Sequence, residues 1–238
     1  MKKSISRRSK TRRSDVVLLF SGGRDSTLAA AILACQGYRL HLLTFDNGAL
    51  INDELTDLRY REFEARFPGA VVSRQKMPSF GLFKNIALAT LEDDVRRFHT
   101  NLICMGCKMA MHTLSLIYCL ENRIRLIADG YTGYQKDWVE QMPAAIAAIR
   151  RFHQEYGVRY INPVYDFTSK EHVKSKLFDL GLSPKPLEGA CLFGGTFSVP
   201  NSRSVCAYIR RKLPLCRRYI EEWFADHGRR PAPRRKHG

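Results

Sequence analysis

Residues 21–27 read Ser-Gly-Gly-Arg-Asp-Ser-Thr, between an apolar run at 15–20 (DVVLLF) and a helical stretch at 26–36 that stops at Gly37. A short apolar run bounded by turn residues suits a strand buried on both faces of a parallel sheet. Strand, glycine-rich turn and helix, in that order, form the place where a doubly wound sheet receives a ligand. Gly22 and Gly23 let the backbone turn tightly and bring its N–H groups close to a phosphate. The helix N-terminus adds its dipole and its unpaired N–H donors. Ser21, Ser26 and Thr27 offer hydroxyls, Arg24 a cation, and Asp25 can hold magnesium or orient phosphates. The string is neither a Walker A loop nor the G-x-G-x-x-G fingerprint. A plain glycine turn with a Ser/Asp helix cap remains open at this point.

The rest of the chain alternates. Strands are expected at 38–45, 70–77, 125–128 and 158–161, and helices at 52–67, 81–98, 107–120, 144–156 and 169–180. Pro68-Gly69 and Gly181 act as stops. This predicts an α/β fold: a doubly wound, mostly parallel, five-stranded sheet with helices on both faces. Beyond Ser183 the pattern is irregular, then helical around 205–211 and 215–225. The expected organisation is a basic tail at 1–14, a domain at 15–195, a helical extension at 196–228 and a second basic tail at 229–238.

The net charge of +16 sits mostly at the ends. Residues 1–14 carry seven Lys/Arg and residues 229–238 carry five, leaving 27 basic against 23 acidic residues between them. The ends read as disordered basic arms, suited to RNA phosphates through counterion release or simply to solubility. No apolar run approaches the roughly 20 residues of a membrane span, and residues 16–20 are too short for a signal peptide core. A soluble, cytosolic protein without membrane contact is expected, and its seven cysteines suggest metal or catalytic use.

Cys104-Met105-Gly106-Cys107 is a C-x-x-C at the start of a helix, where the N-terminus is expected to lower the thiol pKa values. Cys191 lies 84 residues beyond Cys107, in a loop after the last sheet unit. An iron–sulfur cluster, a zinc site completed by Cys191 and Cys206, a redox pair, and buried thiols of no chemistry all remain open. Cys35 and Cys119 are expected in the core, Cys206 and Cys216 in helix packing, and His112 as a satisfied helix histidine. Phe45-Asp46-Asn47-Gly48 ends the second strand beside the loop, as an adenine or ribose rest or as an ordinary turn.

The loop resembles the S-G-G-x-D-S/T signature of the PP-loop ATP pyrophosphatases, whose fold is Rossmann-like (the HUP class). The resemblance covers about residues 15–195. It implies an enzyme that cleaves ATP between the α and β phosphates and adenylates a substrate oxygen, after which nitrogen or sulfur displaces AMP. Cys104, Cys107 and Cys191 are similar in order and spacing to the cysteines of the sulfur-transfer branch, which includes tRNA thiolases and the sulfur insertase of the lactate racemase cofactor. There they imply a 4Fe-4S cluster with one iron left free. Asp129-Gly130 is similar to the segment that borders AMP, with Asp137 as the following acid at an unusually long spacing. Lys170, in Pro163 to Glu171, resembles a phosphate-facing lysine of that branch, and reads otherwise as a solvent lysine beside a serine cap.

The resemblance thus implies catalytic roles for Asp25, Ser26 and Cys191. ATP would be bound by residues 21–27 with Phe45, Asp46, Gly130 and Lys170. Cofactors are ATP, Mg2+ and a cluster or zinc; partners are a tRNA or another RNA and a sulfur donor. Two other readings stand beside it. One is a nitrogen-inserting enzyme like 7-cyano-7-deazaguanine synthase with structural zinc, whose C-terminal cysteine group this chain lacks. The other is a nucleotide- or RNA-binding module without turnover.

Overall fold

Val16, Val17, Leu18, Leu19 and Phe20 are all buried, and they alternate between two separate apolar cores. That is the behaviour of a central strand covered on both faces. The computed structural model describes residues 14–194 and 200–229. Strand β1 (Asp15–Leu19) pairs in parallel with β2 (Arg39–Asp46) on one side and β5 (Leu126–Ala128) on the other. β4 (Val71–Pro78) and β6 (Arg159–Ile161) complete the parallel order β4-β2-β1-β5-β6. The chain runs outward from β1 to β4, then returns to lay β5 against β1. The topological switch point therefore lies between β1 and β5.

One face is covered by α1 (Arg24–Cys35), α2 (Leu55–Arg66) and α7 (Lys170–Asp179). The other carries α3 (Phe80–Ile86), α4 (Leu91–Phe98), α5 (Ile103–Glu121), α6 (Pro143–Glu155) and α8 (Ser202–Asp226). The helix expected at 81–98 is two helices. At the break, the Thr90 hydroxyl donates to Asp94 and the ammonium of buried Lys212 donates to Thr90. Lys212 also pairs with Asp94, so both side chains at the break find a partner on α8.

Three further expectations are corrected. The two helices read at 205–211 and 215–225 are one helix running through Pro214. Val205, Tyr208, Lys212, Cys216, Ile220 and Phe224 form an unbroken buried stripe, while Pro214 faces solvent. Packing on α5 and α6 holds the helix across the one missing N–H bond. Cys35 is exposed rather than core, because it is the last residue of α1; Cys119 and Cys216 are buried as expected, and Cys206 is half-buried. Finally, α5 is long and apolar enough to cross a membrane by length and composition. Its most apolar stretch is 78% buried within the protein, so it is the core helix of this layer.

Two-residue strands β3 (Leu50–Ile51) and β7 (Ala190–Cys191) pair antiparallel outside the main sheet. Apart from Ser14 and Arg229, the basic arms expected at 1–14 and 229–238 lie outside the described residues, as does Gly195 at the end of the expected domain.

Candidate active site

The carboxyl ends of β1 and β5 open side by side on a cavity of about 390 Å³. The turn after β1 supplies Ser21, Gly23, Arg24, Asp25 and Ser26 to its lining. Its shape is fixed from within. Gly22 has φ +82°, a left-handed conformation that glycine adopts without strain. The Gly23 N–H donates to Ser21 Oγ at 3.2 Å. Gly23 O accepts from Thr27 N at 3.0 Å, from Thr27 Oγ1 at 2.6 Å and from Ser26 Oγ at 3.2 Å. Thr27 is thus a brace for the turn and does not reach the cavity.

Asp25, in the first turn of α1, faces the cavity and accepts the Tyr134 hydroxyl on both carboxylate oxygens, at 2.9 and 2.8 Å. Burial pushes its pKa up to about 6, and nearby Glu188 adds to the rise. The folded protein holds this proton more tightly than the unfolded chain, whose value is near 3.8. The cost of the charged form is therefore absent below about pH 4, grows as pH rises and is complete above about pH 6. Asp25→Asn is expected to raise unfolding stability by about 2 kcal/mol at about pH 8, with the gain gone near pH 4. Urea unfolding at the two pH values checks this.

Gly130, after β5, is close-packed against the loop. A Cβ placed there would lie 2.4 Å from Ser26 N and 2.7 Å from the Asp25 carbonyl carbon. The close approach at Gly130 is therefore to the backbone of the loop helix. Its neighbour Asp129 is buried and accepts from Tyr160 Oη, from Asn162 Nδ2 at 2.7 Å and from Tyr131 N at 3.1 Å. Burial raises its pKa to about 6. His112 is fully buried behind it, with Nδ1 3.2 Å from His153 Nε2 and Nε2 without a hydrogen-bond partner. The expected satisfied helix histidine is only half satisfied, since α6 meets α5 through a second imidazole.

The thiols stand at the far side of the same cavity. Cys104 and Cys107 occupy the first turns of α5, and β7 brings Cys191 across to them. The Asn47 amide lies 3.5 Å from Cys107 Sγ and 3.6 Å from Cys191 Sγ, so these sulfurs are at most about 7 Å apart. The lowering of thiol pKa values expected from the helix N-terminus is reversed. Burial pushes Cys104 up to about 12, aided by Glu140, Cys107 and Cys191, and Cys107 is raised for the same leading cause. Among the described residues, no three His, Cys, Asp or Glu side chains are drawn close enough to hold a metal ion. The three sulfurs share a cavity without forming a closed coordination shell.

Phe45 lines the cavity next to Asn47, whereas Asp46 turns away and accepts the Gly48 N–H at 2.9 Å. Lys170 is exposed on the first turn of α7 and outside the lining, although its charge reaches Asp25. Asp137 is exposed and outside the lining too.

Four contributors were not singled out in the sequence: Asn47 as a thiol partner, Tyr134, Glu188 and Arg59. Arg59 is fully buried in α2 and donates to Gly22 O at 3.2 Å, to Ser183 O at 3.0 Å and to Lys185 O. It ties the turn after β1 to the segment leading to Cys191. One of three arginines in a polar helix, Arg59 carries no sequence signal for this. Arg59→Leu leaves three carbonyls without that donor and is expected to cost about 3 kcal/mol. The urea midpoint should fall with an unchanged slope.

No family model matches the chain, and no curated protein matches it in sequence. Solved structures do. A 4-thiouridine synthetase, solved as an RNA complex with bound ATP, is similar at 18% identity with a TM-score of 0.63, over 89% of this chain and 53% of that one. This chain therefore spans about half the length of that synthetase. The U34-tRNA thiolase NcsA from Methanococcus maripaludis, solved with its 4Fe-4S cluster, is similar at 14% identity with a TM-score of 0.51, over 90% of this chain and 74% of that one. At these identities the likeness is one of fold.

Proposed function

We infer that this chain, which has the fold of the PP-loop ATP pyrophosphatases, is a cytosolic ATP-dependent sulfurtransferase acting on an RNA base, with tRNA as the leading acceptor. The observation that carries the reading is that the phosphate loop and the three thiols line one cavity. Nucleotide chemistry and sulfur chemistry can then meet on one substrate atom.

The residues divide the work as follows. The turn's N–H groups and the Ser21 and Ser26 hydroxyls would hold the pyrophosphate end of ATP, and the Asp25 carboxylate, which lines the same cavity, would hold the magnesium that accompanies it. Phe45 and Gly130 border the nucleoside. The acceptor's oxygen attacks the α phosphorus, and the bond to the bridging oxygen breaks with pyrophosphate leaving. Sulfur then bonds to the base carbon as the C–O bond breaks and AMP carries the oxygen away. Cys104, Cys107 and Cys191 would hold a 4Fe-4S cluster, which when bound supplies an open iron for presenting sulfide. The raised thiol pKa values fit a site whose thiolates are stable only beside a cationic partner.

The test is to incubate the anaerobically purified protein with MgATP, sulfide and unmodified tRNA, digest the RNA and analyse the nucleosides by mass spectrometry. A nucleoside with sulfur in place of oxygen is expected. A product carrying nitrogen instead would move the chain to the nitrogen-inserting branch, and tRNA left unchanged while ATP still binds would leave a binding module.

A further inference from the structure

The phosphate loop is not free in this fold. The segment from Ser183 to Cys191 crosses directly over it, held by Arg59 at Ser183 O and Lys185 O and by the pairing of β7 with β3. Leu187 O lies over Gly22, 2.3 Å from where a Cβ would be. Glu188 lies over Gly23, with Oε2 2.2 Å from the corresponding Cβ position, and accepts the Ser21 hydroxyl at 3.0 Å. Among the described residues that is its one recorded hydrogen bond, and it has no ion pair. A carboxylate thus rests on a glycine turn built to receive an anion, beside a second carboxylate, Asp25, that its charge perturbs. Three residues on, Cys191 closes against Asn47, and the next N–H, of Leu192, is held by Ala49 O at 2.9 Å.

We propose that Glu188 is a displaceable occupant of the phosphate seat, and that the segment carrying it transmits the seat's occupancy to Cys191. The inference rests on the reading of the loop as an ATP site. A phosphate oxygen and the Glu188 carboxylate cannot share the Ser21 hydroxyl and the surface of Gly23, and like charge adds to the exclusion. Nucleotide binding therefore lifts Glu188, and the short tether to β7 loosens Cys191 from Asn47. The sulfur half of the site is released only when the nucleotide half is filled.

The test is calorimetric titration of the full chain and of Glu188→Ala and Glu188→Gln with MgATP, with magnesium pyrophosphate and with adenosine. Both variants should bind ATP and pyrophosphate tighter by on the order of three- to tenfold, since the competing state is removed, with adenosine affinity unchanged. Hydrogen exchange gives the second arm. MgATP should speed exchange across residues 188–192 of the wild type, and Glu188→Ala should show the faster rate without nucleotide. Equal or weaker phosphate affinity in the variants, an equal gain for adenosine, or unchanged exchange in the wild type each overturn the inference while leaving the ATP site standing. Failure of every protein to bind ATP overturns both.

Discussion

Gly130→Ala is expected to slow pyrophosphate release from ATP at least about 100-fold while leaving the protein folded. The added methyl would sit 2.4 Å from Ser26 N, 2.6 Å from Ser26 Cα and 2.7 Å from the Asp25 carbonyl carbon. All three are backbone atoms of the first turn of α1, so no flexible side chain can yield. The loop helix must move away from β5 instead, carrying the Asp25 carboxylate and the turn's N–H groups out of register. A displacement near 1 Å at a reacting centre costs on the order of 100-fold in rate. Overpacking of this kind costs stability by about 1–3 kcal/mol, which a core of this size can absorb. Circular dichroism and pyrophosphate release, measured on the same preparation, separate the two effects. Wild-type release from a folded Gly130→Ala would show that β5 does not register the loop.

The second large effect is expected at Cys107. Cys107→Ala should bring bound iron and sulfide in anaerobically purified protein close to zero and abolish sulfur transfer, with ATP affinity held within about twofold. Cys107 is the most buried of the three cavity thiols and bonds Asn47 together with Cys191. Cys104, Cys107 and Cys191 would together hold the cluster, and the loss of Cys107 would leave only two of those thiols. The phosphate loop is untouched, so nucleotide binding should persist. Metal analysis, absorption near 400 nm and ATP titration give the three readings. Retained iron with retained transfer would place the sulfur chemistry elsewhere, and stoichiometric zinc in the wild type would make the thiols structural.

Much of this site was legible because its signals are local. The buried run before Ser21, the two glycines and the alternation of strands and helices each depend on neighbours in sequence, and the parallel sheet follows from them. What escaped depends on distant contacts. The pKa values of Cys104 and Cys107 go the opposite way from the helix-terminus expectation, because the dipole is local while burial under residues 191–193 is tertiary. Arg59 acts through backbone carbonyls, and Glu188 through the Ser21 hydroxyl, each more than a hundred residues away in sequence. Pro214 reads as a helix break, and the stripe on α8 overrides it. The strands that bring Cys191 home are two residues each, below what any pattern can register.

The central claim is that this cavity splits ATP between the α and β phosphates on behalf of an acceptor. The direct measurement uses ATP labelled at the α phosphate, with acceptor RNA and sulfide present, and chromatography of the labelled product. The account predicts AMP with an equal amount of pyrophosphate, lost together in Asp25→Ala. Labelled ADP with inorganic phosphate would contradict it.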